Sequence, residues 1–191
     1  MRQLIIKEGK SMKKIMAVFM AAMTLMTTVP VMADFNPVTP VYMFYSPYMR
    51  DYLLTTSSNE KEQLEWDYYR GTETYEYDRI VSYVESVSTP FNTPVYRFWN
   101  PVTCDHFYTI SESEKNQVQQ NLINGTDNYE YEGIAWYSPT FSGKPVYRFF
   151  DIVNLDHYYT SNESERTSMQ QDYLNGNGRW RYEGIAWYWY D

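Results

Sequence analysis

The sequence predicts a mainly β domain with three short helices, organised as three strand-strand-helix-strand repeats in a pseudo-threefold, closed, β-trefoil-like arrangement. Three observations predict it: motifs that recur at fixed spacing, strand-length runs of β-branched and aromatic residues inside each copy, and one capped helical segment per copy.

The recurrence is ungapped. Pro94-Val95-Tyr96-Arg97-Phe98 returns as Pro145-Val146-Tyr147-Arg148-Phe149, 51 positions on. Asp105-His106-Phe107-Tyr108-Thr109 returns as Asp156-His157-Tyr158-Tyr159-Thr160, and Tyr131-Glu132-Gly133-Ile134-Ala135-Trp136-Tyr137 as Tyr182-Glu183-Gly184-Ile185-Ala186-Trp187-Tyr188, at the same offset. A more divergent copy lies 54 positions upstream, with Pro40-Val41-Tyr42-Met43-Phe44, Asp51-Tyr52-Leu53-Leu54-Thr55 and Tyr75 to Tyr83 in the corresponding slots. Repeats at about 40–90, 94–140 and 145–191 follow.

Within a copy the elements read in order. Val95 to Trp99 and His106 to Ile110 are runs of strand length, separated by the turn-forming Asn100-Pro101-Val102-Thr103. Ser57, Ser111 and Asn162 are N-cap candidates, and Glu60, Glu114 and Glu165 stand three residues on, as in a capping box. Leu64 with Tyr68, Val118 with Leu122 and Met169 with Tyr173 predict one narrow buried stripe per helix. Gly71, Gly125 and Gly176 end the helices where a left-handed residue is needed, and a Tyr- and Trp-rich strand closes each copy. Such a unit cannot bury its apolar face alone. Closure of three copies leaves no exposed strand edge, whereas an open stack would need capping units that the sequence lacks.

Ahead of the repeats, Lys13 and Lys14, the apolar run Ile15 to Met26 and Val31-Met32-Ala33 have the order of an export signal, with cleavage expected after Ala33 and Met12 an alternative start. The run is short of the roughly 20 apolar residues that a membrane-spanning helix needs. Removing residues 1–33 takes away five of the 16 basic side chains and one of the 24 acidic ones, leaving a formal balance of −12. Residues 34–191 are then expected to be a single secreted, extracellular domain, with cell-wall association as a further expectation and with no nucleic acid and no membrane as partner, since both repel a chain this acidic.

The segment Pro94 to Thr109, with Glu132-Gly133-Ile134-Ala135-Trp136-Tyr137, resembles a repeat family of unknown function found in secreted and surface proteins, mainly bacterial. Its members are often appended to hydrolases acting on cell walls, proteins or glycans, which implies an extracellular accessory or binding role. The family usually has Gly where this chain has Cys104. The first copy carries Met43, Tyr52, Arg79 and Ser82 where the others have Arg, His, Gly and Trp.

Candidate ligand-binding residues are the polar and aromatic members of the motif: Asp105, His106, Tyr108, Glu132 and Trp136, and their equivalents Asp156, His157, Tyr159, Glu183 and Trp187. One reading makes each adjacent Asp-His pair a clamp for a ligand, or with Glu132 or Glu183 a general acid/base site. The other has the imidazoles holding the units in register. Arg97 and Arg148 are expected to pair with Glu132 and Glu183. Cys104 is alone, so no internal disulfide exists, and no metal-ligand spacing, nucleophile elbow or phosphate loop appears; no cofactor, metal or catalytic residue is expected. Of two glycosylation sequons, Asn124-Gly125-Thr126 and Asn162-Glu163-Ser164, the second doubles as a helix cap.

Aromatic faces beside acids and hydroxyls suit sugars. The expected function is non-enzymatic binding of extracellular glycan or cell-wall polymer. A protein-interaction or inhibitor module for a surface protein is the alternative, and a hydrolase using a carboxylate and a histidine the third.

Overall fold

The computed structural model describes residues 38–140 and 142–190, all within the unit Asn36–Asp191. The expected export signal lies outside them. Among the described residues the order strand, strand, helix, strand occurs three times. The first unit comprises β1 (Val38–Ser46), β2 (Asp51–Thr55), α1 (Ser58–Tyr69) and β3 (Glu76–Glu85). The second comprises β4 (Asn92–Asn100), β5 (Asp105–Thr109), α2 (Glu112–Ile123) and β6 (Glu130–Pro139). The third comprises β7 (Lys144–Asp151), β8 (His157–Thr160), α3 (Glu163–Leu174) and β9 (Trp180–Trp189). The protein is mainly β, with curled sheets, and no helix among the described residues is long and apolar enough to cross a membrane.

In each unit the first strand lies antiparallel between the second and the third. One bridge, Glu85 opposite Tyr137, joins the first two sheets into a six-stranded one of order β2-β1-β3-β6-β4-β5, and the third unit keeps its own sheet, β8-β7-β9. β2, β5 and β8 each contact the other two, and so do β3, β6 and β9.

The pairing of first with third strand slips register twice in every unit, on either side of the Tyr42-Met43, Tyr96-Arg97 and Tyr147-Arg148 steps. Bulges re-aim side chains, and here they flank the residue whose side chain leaves the unit. Gly133 and Gly184 lie opposite Arg97 and Arg148 at φ of +114° and +113°, a conformation that side chains rarely adopt.

Valines and aromatics build the core because strand alternation sends them to one side. Val41, Val95 and Val146 meet Leu54, Tyr108, Trp136, Trp187 and Trp189 in one cluster shared by all three units. Phe44, Phe98 and Phe149 hold equivalent places and are fully buried, each contributing on the order of 2–3 kcal/mol. Smaller clusters lie toward the helices, where Leu64 packs on Phe44 and Leu53, and Val118 on Phe98 and Phe107.

The helices differ from expectation in two respects. No helical residue is fully buried: Leu64, Val118, Met169 and Tyr173 are half-buried, Tyr68 and Leu122 exposed, so the expected buried stripe narrows to one half-buried residue in the first two helices and to a half-buried pair in the third. Ser57, Ser111 and Asn162 do cap the first turns, but the return bonds of the capping boxes are not made by the glutamates. The N-cap N–H groups donate instead to Thr55, Thr109 and Thr160, two residues upstream. That releases Glu60 and Glu114 to reach the next unit. Gly71, Gly125 and Gly176 terminate the helices at φ of +71°, +68° and +73°.

The turn between first and second strands places Arg50, Cys104 and Leu155, which are not glycines, at φ of +66°, +57° and +63°. This accounts for the glycine that the resembling family carries at the Cys104 position.

Candidate functional site

The described residues bring the motif's polar groups together between units, not within them. Neighbours along a strand point to opposite sides, so His106 does not meet Asp105. It meets Asp51 of the unit before it: Asp51 accepts from the His106 backbone N–H at 2.9 Å and from its Nδ1 at 2.5 Å, and from the Tyr75 hydroxyl. Asp105 does the same for His157, at 2.8 Å and 2.6 Å, with the Tyr129 hydroxyl as third donor. Each imidazole thus ties one unit to the next, to a partner 55 or 52 positions away.

Two further ties accompany each clasp. Arg97 spans Glu60 of the preceding helix at 3.0 Å and Glu132 of its own unit at 2.7 Å; Arg148 spans Glu114 at 2.8 Å and Glu183 at 2.9 Å. The hydroxyl of Tyr108 donates to the Leu54 carbonyl at 3.0 Å and accepts from the Leu54 N–H at 2.8 Å. The Tyr159 hydroxyl accepts from the Tyr108 N–H at 2.8 Å. In each tie between units the reaching side chain, His106 or His157, Arg97 or Arg148, Tyr108 or Tyr159, belongs to the later unit, and the carboxylate or backbone group that it meets belongs to the earlier one.

Electrostatics follows geometry. Burial alone would lower the pKa of His157, but the charge of Asp105 and hydrogen bonds to Asp105 and Glu183 outweigh it and raise it to about 9. Burial pushes Asp105 up, yet the His157 charge and hydrogen bonds hold it below the ordinary carboxylate range. Glu183, despite its burial, is held at about 2 by His157 and Arg148.

Where the third unit meets the first, the later unit's donors are replaced. Tyr52 stands at the histidine position, Met43 at the arginine and Leu54 at the tyrosine, and on the third unit Trp180 replaces the tyrosine that would cap the aspartate. The acceptors remain. Asp156 is 5% exposed and its Oδ1 is buried without a hydrogen-bond partner. Burial first, then the charges of Asp151 and Asp105, raise it to about 6 against the opposing Arg179. Glu165 turns back to its own unit, accepting from Tyr158 at 2.8 Å and Thr160 at 2.6 Å.

The result is an open cleft of about 480 Å³, lined by Tyr45, Tyr52, Tyr158 and Trp180 together with Asp156 and Glu165. The four rings form a continuous run, with centroid separations of 4.6 Å for Tyr45–Tyr52, 5.7 Å for Tyr52–Tyr158 and 5.7 Å for Tyr158–Trp180. All four are half-buried, so each presents part of its ring. The volume is in the range of small-molecule sites. Among the described residues no group of three or more His, Cys, Asp or Glu side chains could hold a metal ion.

The residues singled out from sequence thus divide. Tyr108, Trp136 and Trp187 are core, with almost no surface. Asp105, His106, His157, Glu132, Glu183 and Tyr159 belong to the clasps, and Arg97 and Arg148 pair with the glutamates expected. Only Asp156 and the edge of His157 line the large cleft. Tyr45, Tyr158 and Trp180 were not candidates; their signal is the loss of His, Arg and Tyr donors from the first copy.

A family model described as Domain of unknown function (DUF5648) matches residues 26–125 and, overlapping, residues 65–190, and the chain belongs to this family. No curated protein and no solved structure matches it.

Proposed function

We propose that the protein is a secreted, non-enzymatic binding module for carbohydrate or cell-wall polymer, whose three units close into a pseudo-threefold, β-trefoil-like ring, with the ligand seated where the third unit meets the first. The mutual contacts of the three second strands, and of the three third strands, support the ring. One observation carries the site: a buried carboxylate oxygen without a partner, on Asp156, beside four half-exposed aromatic rings. Sugars supply both what such a carboxylate lacks, a hydroxyl donor, and what rings take, an apolar CH face. The two clasped junctions hold the ring in register, and their histidines act through the fold.

Retention of the full chain on a panel of glycans and wall fractions tests this. Trp180→Ala is expected to abolish retention with the fold intact, whereas changing His106 and His157 together to Gln lowers stability and leaves retention in the molecules that fold. The reverse pattern would move the ligand to the clasps. No retention on any preparation would end the carbohydrate reading.

A further inference from the structure

The two clasped junctions show what the third cleft is built to receive. At the second junction the Arg148 guanidinium lies 4.8 Å over the ring of Phe107, held by Glu114 and Glu183. The equivalent ring and acids at the third junction are Tyr158, Glu165 and Asp78, but position 43 is methionine. The first unit has shifted its cation to the opposing strand: Arg79 pairs across from Met43, and its exposed side chain bonds Asp78 at 2.6 Å. Likewise the aspartate that receives an imidazole elsewhere faces Tyr52 here.

The other cations around the cleft are committed. Arg179 bonds Asp151 at 2.8 Å, and Arg50, on the exposed rim, donates to the Asn154 side chain at 2.6 Å. Among the described residues Asp156 and Glu165 have no cationic partner, although both line the cleft. A buried, unpaired carboxylate is costly, and a charge-assisted hydrogen bond from a ligand relieves that cost. A cation over an aromatic face adds to it.

We propose that the ligand of this cleft carries a protonated amine: an amino sugar unit whose ammonium lies over Tyr158 between Asp156 and Glu165, while its ring stacks on the Tyr45, Tyr52 and Trp180 faces. This rests on the carbohydrate reading above. The run of four half-exposed rings, inclined to one another by 32°, 61° and 52°, favours a sugar over a lysine side chain, because an oligomer lays successive pyranose faces on successive rings, whereas a single alkyl stem covers one ring. The cleft is open, as a polymer passing through it requires.

Calorimetric titration of the full chain, at about pH 7, with oligomers of glucosamine, N-acetylglucosamine and glucose, and with tetralysine, tests the proposal. The glucosamine oligomer is expected to bind at least about tenfold more tightly than its acetylated counterpart and the glucose oligomer. Asp156→Asn and Glu165→Gln, each nearly isosteric, are expected to weaken it by about tenfold while circular dichroism is unchanged. Met43→Arg with Tyr52→His supplies the internal cations found at the other junctions and is expected to abolish binding without loss of stability. Equal binding of all three sugar oligomers overturns the amine while leaving the carbohydrate reading standing. Tetralysine binding as tightly as glucosamine overturns the sugar. Absence of binding by every sugar defeats both readings together.

Discussion

The second junction and the third are built on the same backbone plan and differ in what the incoming unit brings. At the second, three polar side chains enter the preceding unit: His157 and Arg148 donate to Asp105 and Glu114, and the Tyr159 hydroxyl accepts from the Tyr108 N–H. At the third, Tyr52, Met43 and Leu54 enter instead, and Asp156 keeps an unpartnered oxygen. Among the groups that tie unit to unit, the first unit has lost the side chains that face backwards. Its own acceptors, Asp51, Glu60 and the Leu54 backbone, are intact and used by the second unit. Divergence at one seam, in Met43, Tyr52 and Leu54 of the first unit and Trp180 of the third, opens that seam while leaving the other two tied, which is how a structural motif yields a concave site.

The largest effect that separates the junctions is the loss of an aspartate. Asp105→Ala leaves His157 and Tyr129 without their acceptor and a buried cation without its counter-charge, so it is expected to cost about 3–5 kcal/mol. Asp156→Asn removes a charge that has no partner and is expected to change stability by less than about 1 kcal/mol, in the stabilising direction. Urea unfolding midpoints of the two variants measure the contrast. Equal destabilisation would mean that the third junction is tied by bonds equivalent to those of the second.

Protonation separates them by the pH window in which each loses stability. The His157 pKa is raised to about 9, so its contribution to stability is complete below the unfolded value of about 6.5 and is lost as pH rises through 9. Asp156 is raised to about 6, so between about 4 and 6 the folded state holds the extra proton and stability falls as pH rises. Thermal midpoints across pH 4–10 are expected to show both slopes, the first absent in His157→Gln and the second in Asp156→Asn.

Rebuilding the third clasp is a gain in the same comparison. Tyr52→His together with Trp180→Tyr gives Asp156 the imidazole and hydroxyl that Asp51 and Asp105 have, with an expected stabilisation of about 1.5–3 kcal/mol from charge-assisted bonds. A rise in the urea midpoint with no change in slope checks it. A fall would show that the third junction is splayed too far for the clasp to form.

How much of this was legible depends on the range of the contact. Strand order, helix positions, N-caps and the terminating glycines are local, and the repeat offsets align them, so they follow from sequence. The partner of His106 does not, because Asp51 belongs to the preceding copy and is brought to it only when the second strands of two copies meet. The capping glutamates were misassigned for a related reason: Thr55, Thr109 and Thr160 satisfy the cap N–H groups at shorter range, while Glu60 and Glu114 serve arginines 34 to 37 positions away and Glu165 accepts from Tyr158 and Thr160. The substitutions Met43 and Tyr52 were visible from the start as departures of the first copy. Their meaning lay in knowing that the first copy's second strand abuts the third's, a contact between Tyr52 and Tyr158 that no spacing along the chain encodes.

The smallest predicted effect concerns what the three junctions share. Arg50, Cys104 and Leu155 each hold a left-handed conformation at the turn preceding the clasp aspartate, where the N–H of each bonds four residues back, to Ser46, Asn100 and Asp151 at 2.7–2.9 Å. A side chain there costs about 1–2 kcal/mol relative to right-handed backbone, and glycine returns part of that gain through its freer unfolded chain. Cys104→Gly and Leu155→Gly are each expected to stabilise by about 0.5–1 kcal/mol. Arg50→Gly is expected to gain less, because it also removes the bond to Asn154 that links the first unit to the third. Differential scanning calorimetry of the three variants orders them. Equal gains would show that the Arg50–Asn154 bond adds nothing to the third junction, leaving its closure to the aromatic contacts alone.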